Sequence, residues 1–547
     1  MPREVVLTLP PSAEEPSLDA AALRTLLGRA GVPAGVLGEA RVRRVSFDAR
    51  RRERCWRIVV DVWAPGEPVP PSPRTTPAVL VPPAPGAPHV VVVGSGPAGL
   101  CCALDALAAG LRVTVVERGR DVQTRRHALA AANRGQAIDP DSNYCFGEGG
   151  AGTYSDGKLY ARAGRRDAVR GVLELLVAHG APLDVLTSWR PHIGSNRLPR
   201  VVAALRESIR SGGGRVRFAT RAVALVVEDG RVAGVVVRDV DEGATETLPA
   251  AAVVLATGHS APDALAMLRR AGAPLAAKGF ALGVRIEHPQ PWLDQRQYGG
   301  LRDACALPAA FYELTAQVDA RGVYSFCMCP GGFIVPASTA SSRVVVNGMS
   351  LRRRDSPFAN SGLVVQLEPA DWCGDAGRAL GLDLVAGPLP EHPDADPLFG
   401  VRLQEGLETR AAQAGGGGNR APVQRADAFV EGRGATPAPL ATSYRPGLVA
   451  TDLATVLPPG IVARLRVAMR TFDARLPGFA GAEGQLVGVE TRTSSPVRVL
   501  RDPETLESPG VAGLHPAGEG AGWAGGIVSA ALDGRRVARA LARRLLG

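Results

Sequence analysis

Hydrophobic periodicity sets the first divisions along this chain. Alternation predicts a strand at Glu4–Leu9, helical spacing follows at about Leu18–Ala30, and strands are expected at Arg41–Asp48 and Arg57–Trp63. Pro65–Pro88 is so dense in proline that neither a helix interior nor a central strand suits it, so it reads as an extended, semi-rigid linker. At His89 the pattern changes. His89-Val-Val-Val-Val-Gly94 is an apolar strand, Ala98–Ala109 is helix-like, and Leu111–Glu117 is a second apolar strand. A β-α-β unit with so short a crossover predicts a parallel sheet. Further strands are expected at Arg215–Thr220, Ala222–Glu228, Arg231–Val237 and Ala251–Ala256, with a loop at Gly415–Gly418. Between Gly283 and Glu490 the pattern turns to mixed strands and polar loops.

Composition narrows the class. With 547 residues, 46% of them hydrophobic and 21% charged, the chain has enough apolar surface for real cores and enough length for several domains. The 63 Lys+Arg against 53 Asp+Glu give a net charge of +10, which raises nucleic acid or a membrane surface as partners. The positive side is nearly all arginine, with lysine only at Lys158 and Lys278, and no dense basic run is interleaved with aromatics, so nucleic acid is the less favoured partner. Eight scattered cysteines point to a reduced compartment rather than a disulfide scaffold. No signal-peptide pattern opens the chain, and no apolar run reaches the ~20 residues of a membrane-spanning helix. The expectation is a cytoplasmic protein acting on a small-molecule substrate, with no membrane span.

Chemistry concentrates first in Gly94-Ser95-Gly96-Pro97-Ala98-Gly99, a GxGxxG turn that directly follows an apolar strand and opens a helix. Gly94 permits the tight turn, Gly96 lets the backbone approach a pyrophosphate, Gly99 lets helix and strand pack closely, and the helix N-terminus offers N–H donors to phosphate. Glu117 at the end of the next strand is placed to accept ribose hydroxyls, with Arg118 beside it in the same site. The turn serves NAD and FAD alike. Two later segments favour FAD: Leu255-Ala-Thr257-Gly258 after the hairpin Ala222–Val237, which brings Val223 towards the dinucleotide, and Gly518-Glu519-Gly520 leading through Gly525-Gly526-Ile527 into an Ala-rich helix. The second arrangement resembles the closing flavin motif of the glutathione-reductase-like FAD superfamily, with Glu519 where many relatives have Asp. The loop Phe146–Lys158 carries Gly149, Gly150 and Gly152, whose backbone can lie against a ring or phosphate, and one cation, Lys158, to neutralise phosphate charge.

The stretches Gly147–Leu159, Gly258-His-Ser260, Phe280–Gln290, Val323–Gly332, Val346–Ser350 and His515–Asp533 resemble a bacterial family of FAD-dependent dehydrogenases, the NAD(P)/FAD-dependent oxidoreductases. The resemblance runs from about His89 to the end of the sequence. It implies an FAD fold and redox chemistry, and no substrate.

The expected fold class is α/β: a Rossmann-like FAD-binding domain with a parallel sheet, interrupted by a mixed α+β substrate or cap domain, plus a small N-terminal α+β domain. The expected boundaries are 1–64 for the N-terminal domain, 65–88 for the linker, 89–283 and 491–547 for the two FAD-binding segments, and 284–490 for the cap. Catalytic candidates are Arg285 and His288, in one strand-like run where alternation puts Arg285 and Glu287 on one face and His288 on the other, and His259 after the Ala-Thr-Gly turn. His192, Tyr324 and Glu490 are secondary candidates. Cys327-Met328-Cys329 is a possible electron relay, but a CxC on an extended strand is expected to point its thiols to opposite faces, which favours simple packing. Metal binding lacks a His/Cys cluster.

The function read from these features is an FAD-dependent oxidoreductase moving a hydride between an organic substrate and flavin N5. Because no second dinucleotide turn is visible, either NADH or NADPH binds transiently over the flavin as reductant or the electrons come from the substrate itself. The alternatives are a flavin monooxygenase, or a flavin-bound regulatory protein that contacts RNA or protein through Arg41, Arg43, Arg44, Arg50, Arg51 and Arg52.

Overall fold

The computed structural model describes residues 2–49, 54–160, 166–435 and 439–547. Arg50, Arg51 and Arg52 of the basic cluster lie outside the described residues.

A five-stranded parallel sheet organises the nucleotide-type fold, in the order Leu514–Pro516, Ala252–Leu255, His89–Val93, Arg112–Val116, Arg215–Arg217. Its central strands are Val-rich and buried, as a sheet covered on both faces requires. On one face lie the helices Pro97–Ala108, Arg166–Ala178, Leu198–Ser211 and Ile527–Leu546. Gly534 in the last helix sits so close to the first that a Cβ there would stand 2.0 Å from the Ala98 carbonyl oxygen. The other face carries a three-stranded antiparallel sheet, Thr220–Glu228, Arg231–Asp239 and Thr245–Pro249. Thr220–Glu228 has a bulge between Ala222 and Ala224, leaving Val223 out of the ladder.

The second layer is a seven-stranded mixed sheet ordered Thr315–Val318, Arg321–Cys329, Phe358–Leu367, Phe280–Pro289, Gln485–Glu490, Ala421–Arg425, Leu448–Ala450. Helices Phe399–Gly415 and Pro459–Arg475 pack into its core. A two-stranded ribbon, Gly332–Pro336 with Val346–Ser350, lies over one end.

Near the N-terminus, Arg3–Leu9, Cys55–Trp63 and Glu39–Asp48 form an antiparallel sheet backed by helix Ala20–Arg29, which Asp19 caps by accepting from Ala21 and Ala22 N–H. No helix or strand occurs from 64 to 88. The small unit is docked on the rest of the chain: Val45 exchanges backbone hydrogen bonds with Thr187 and Trp189, and Phe47 meets Tyr298 edge to face.

Candidate functional site

Where the parallel sheet ends, its C-terminal loops surround a cleft with some 1440 Å³ of space free of protein atoms, part of it open to solvent. Gly94 forms its floor. The backbone there has φ +105°, a region glycine tolerates, and a Cβ would meet the Ala256 carbonyl oxygen at 2.3 Å. Gly96 is the opposite case, since a Cβ on it meets nothing within 4 Å. Helix Pro97–Ala108 starts at this cleft without a side-chain cap, and so does helix Ile527–Leu546, so two helix N-termini present uncapped N–H groups to it.

Of the residues expected to bind cofactor, Gly94, Gly96, Pro97, Ala98, Glu117, Arg118, Gly150, Gly152, Lys158, Thr257, Gly258, Gly518, Glu519, Gly526 and Ile527 line the cleft. Ser95, Gly99, Gly149, Val223 and Gly525 do not, although Ala222 beside Val223 does. Gly99 packs under the turn, where a Cβ would meet the Gly94 carbonyl oxygen at 1.9 Å. The Gly149 N–H donates to the Ser95 carbonyl, tying the glycine loop to the first turn.

Glu117 is more deeply committed than a ribose acceptor needs to be. Its carboxylate accepts from Ser95 N–H, the Ser95 hydroxyl, Gly119 N–H and Gly147 N–H. Arg118 lies over the Phe146 ring at 4.1 Å and pairs with Asp141 and Asp263. Lys158 differs from expectation: its charge is held by Asp156 at 2.7 Å rather than left free for phosphate. Burial works against that charge, and Asp156 then outweighs it, raising the Lys158 pKa.

The catalytic candidates divide. His259 lines the cleft with its Nδ1 3.8 Å from a Glu519 oxygen, a neighbour the sequence did not suggest. Arg285 does not reach it. Its guanidinium is fully buried, donating to Asn360, Glu490 and the Cys327 carbonyl. His288, on the opposite face of the strand, stacks on Trp292 at 4.5 Å and bonds the Phe479 carbonyl within the core. His192 meets the Arg352 carbonyl and also stays outside the cleft.

The Cys327/Cys329 expectation needs correction. Strand pairing shifts register between Phe326 and Cys329, and Cys327 has φ +46°. The alternation is broken there, and both Sγ atoms lie 3.6 Å from Lys158 Nζ instead of pointing apart.

Sequence reasoning missed several residues. Arg125 is fully buried and donates to the carbonyls of Asn143, Tyr144, Glu148 and Gly150, holding the glycine loop in shape. Arg501 and Asp533, also buried, pair at 2.6 Å, and Asp533 accepts from Gly518 N–H while Arg501 donates to the Pro516 carbonyl, so they anchor the closing motif. A smaller cavity adjoins the cleft, sharing Cys145, Ala151, Ser155 and His259 with it and walled by Asn347, Glu490 and Arg492 from the second layer. Arg492 is paired with Glu408 at 2.7 Å. Among the described residues, no group of three or more His, Cys, Asp or Glu is placed to hold a metal, and no helix is long and apolar enough to cross a membrane.

A glycine turn between uncapped helix N-termini and a parallel sheet, facing an open cleft, suits a dinucleotide, and the class it defines is the FAD-dependent oxidoreductases. A family model described as FAD binding domain matches residues 89–286, and one described as FAD-dependent protein, C-terminal domain-like matches 279–493. A protein of Clostridium beijerinckii is 40% identical over 451 residues, covering 82% of this chain and 79% of its own. The chain belongs to this family of FAD-dependent oxidoreductases, and FAD is its cofactor. An L-aspartate oxidase of Streptomyces coelicolor is 31% identical over 272 residues, 40% of this chain and 45% of the oxidase. Among solved structures, Mycobacterium smegmatis Sdh1 in complex with UQ1 is 17% identical, with 84% of this chain and 69% of Sdh1 covered at a TM-score of 0.35.

Proposed function

We propose that this protein is a dehydrogenase or reductase that moves a hydride between a small polar organic substrate and flavin N5, with the substrate held in the smaller cavity. FAD, when bound, supplies the two-electron chemistry. The observation that supports the reading is that Glu490 and Arg492 both wall that cavity and each keeps a buried polar atom, Oε1 and Nη1, without a partner. A ligand with its own donor and an anionic acceptor in that cavity would complement a carboxylate and a guanidinium whose polar atoms are not all paired.

The protein's own groups divide the work. Arg492, steadied by Glu408, binds and orients the substrate. Burial, opposed by Arg285, pushes the Glu490 carboxyl up to about 7, which suits it to hold or release a proton at Oε1 near neutral pH. His259 lies at the junction of the two cavities, where it limits water between flavin and substrate.

Anaerobic stopped-flow spectroscopy tests this. The oxidised flavin band should bleach on adding NADH, NADPH or a member of a panel of small hydroxy and amino acids, more slowly when deuterium replaces the transferred hydrogen. Failure of every donor to bleach protein-bound flavin overturns the reading, and bleaching without an isotope effect overturns the hydride step.

A further inference from the structure

The seven-stranded sheet delivers two thiols to the edge of the cofactor cleft. Cys327 lines it and Cys329 lies fully buried just behind. The left-handed backbone at Cys327 turns both sulfurs towards Lys158, each 3.6 Å from its Nζ, and the Cys329 thiol donates to the Cys327 carbonyl at 3.3 Å. Arg285 closes the other side, its Nη2 donating to the Cys327 carbonyl at 2.7 Å and standing 3.8 Å from Cys329 Sγ. Two cations, each fixed by its own carboxylate in Asp156 and Glu490, therefore flank one pair of thiols. A packing role asks for none of this, since small hydrophobes do not need guanidinium and ammonium neighbours.

We propose that Cys327 and Cys329 are a redox-active pair that forms a reversible disulfide and exchanges electrons with the FAD in the cleft. The inference rests on FAD lying in that cleft.

In the oxidising direction the Cys327 and Cys329 thiols give up two protons and two electrons as the Sγ–Sγ bond forms, and oxidised FAD takes up both electrons and both protons. The reverse step uses the two electrons of the reduced cofactor to cleave the bond. No further oxidant or reductant is required. The sulfurs are differentiated for this exchange. The neighbouring Cys329 side chain, then Lys158 and Arg285, hold the Cys327 thiol well below the ordinary range against the cost of burial, while Cys327 and burial push Cys329 well above it. The nucleophilic sulfur is thus the one at the cleft.

The test uses the full-length holoenzyme. Protein treated with diamide, then denatured in acid and alkylated, should show Cys327 and Cys329 protected as a linked pair by peptide mass spectrometry, with protection lost after dithiothreitol. This arm does not depend on where the flavin sits, and protein purified without flavin would instead count against the cofactor reading. In an anaerobic dithionite titration of protein first oxidised with diamide and freed of it, the wild type should take up about four electrons per FAD, two for the flavin and two for the disulfide, and C329S about two. Full alkylation of both cysteines after diamide overturns the proposal. So does a linked pair accompanied by an uptake of only about two electrons in the wild type.

Discussion

Two glycines of the first turn do different jobs, and substitutions separate them. At Gly94 an alanine is strained by the positive φ and collides with the Ala256 backbone, so Gly94→Ala should lower stability by about 1–3 kcal/mol or more, read as a fall in melting temperature. At Gly96 an added methyl meets only open cleft. Gly96→Ala should therefore melt like the wild type yet lose FAD affinity about tenfold, equivalent to about 1.4 kcal/mol, read from flavin absorbance per mole of protein. Equal flavin content in wild type and Gly96→Ala would show that the pyrophosphate does not pass this residue. The distinction is invisible in the sequence, where both positions are simply glycine in the same motif.

Among elements, the closing motif hangs on one buried ion pair. Asp533, in the last helix, fixes both Arg501 and the Gly518 N–H, so Asp533→Ala leaves a buried guanidinium without its carboxylate. The expected cost is about 3–5 kcal/mol in urea unfolding, with weakened FAD retention, and a variant that unfolds like wild type would refute that role. What the sequence disclosed at this scale follows from range. The strand His89–Val93, its glycine turn and helix Pro97–Ala108 are contiguous, so their signals stand side by side, and the predicted bounds lie within a residue of those observed. The seven-stranded sheet joins Phe280–Pro289 to Phe358–Leu367 and Gln485–Glu490, and pairings that distant leave no local trace. Lys158 reaches Cys327 and Cys329 across 169 and 171 residues. Strand alternation also misled at the CxC, because a bulge and one left-handed residue cancel the period of two. Arg125 is another arginine in the sequence, and only the fold gathers four carbonyls around it.

Over the whole molecule, three buried histidines weaken the fold in acid, while the raised carboxyls of Glu148, Glu287 and Glu490 act the other way. Burial pushes His192 down to about 3, and His288 and His515 to about 4. These rings stay neutral in the folded chain while an unfolded one protonates near 6.5, so at these three sites the unfolded state binds more protons below that pH and their contribution to stability falls as pH drops towards 4. In NMR spectra of the folded protein the ring C–H signals of these three histidines should not titrate between pH 7 and pH 5, and a midpoint near 6.5 for them would contradict their burial. The small N-terminal sheet bears on the regulatory alternative: Arg43 is tied to Glu4 and Asp61, Arg41 to Glu39, and Arg44 lies over Trp189 at 5.8 Å, which leaves these three arginines engaged with the protein itself. The parallel sheet also has a consequence for how the molecule is made. Leu514–Pro516 pairs directly with Ala252–Leu255, and the helix beginning at Ile527 adds its N-terminus to the cleft. A nascent chain thus carries its glycine turn early but lacks the complete cleft until these late residues leave the ribosome, so FAD taken up in that cleft would be loaded late in biosynthesis.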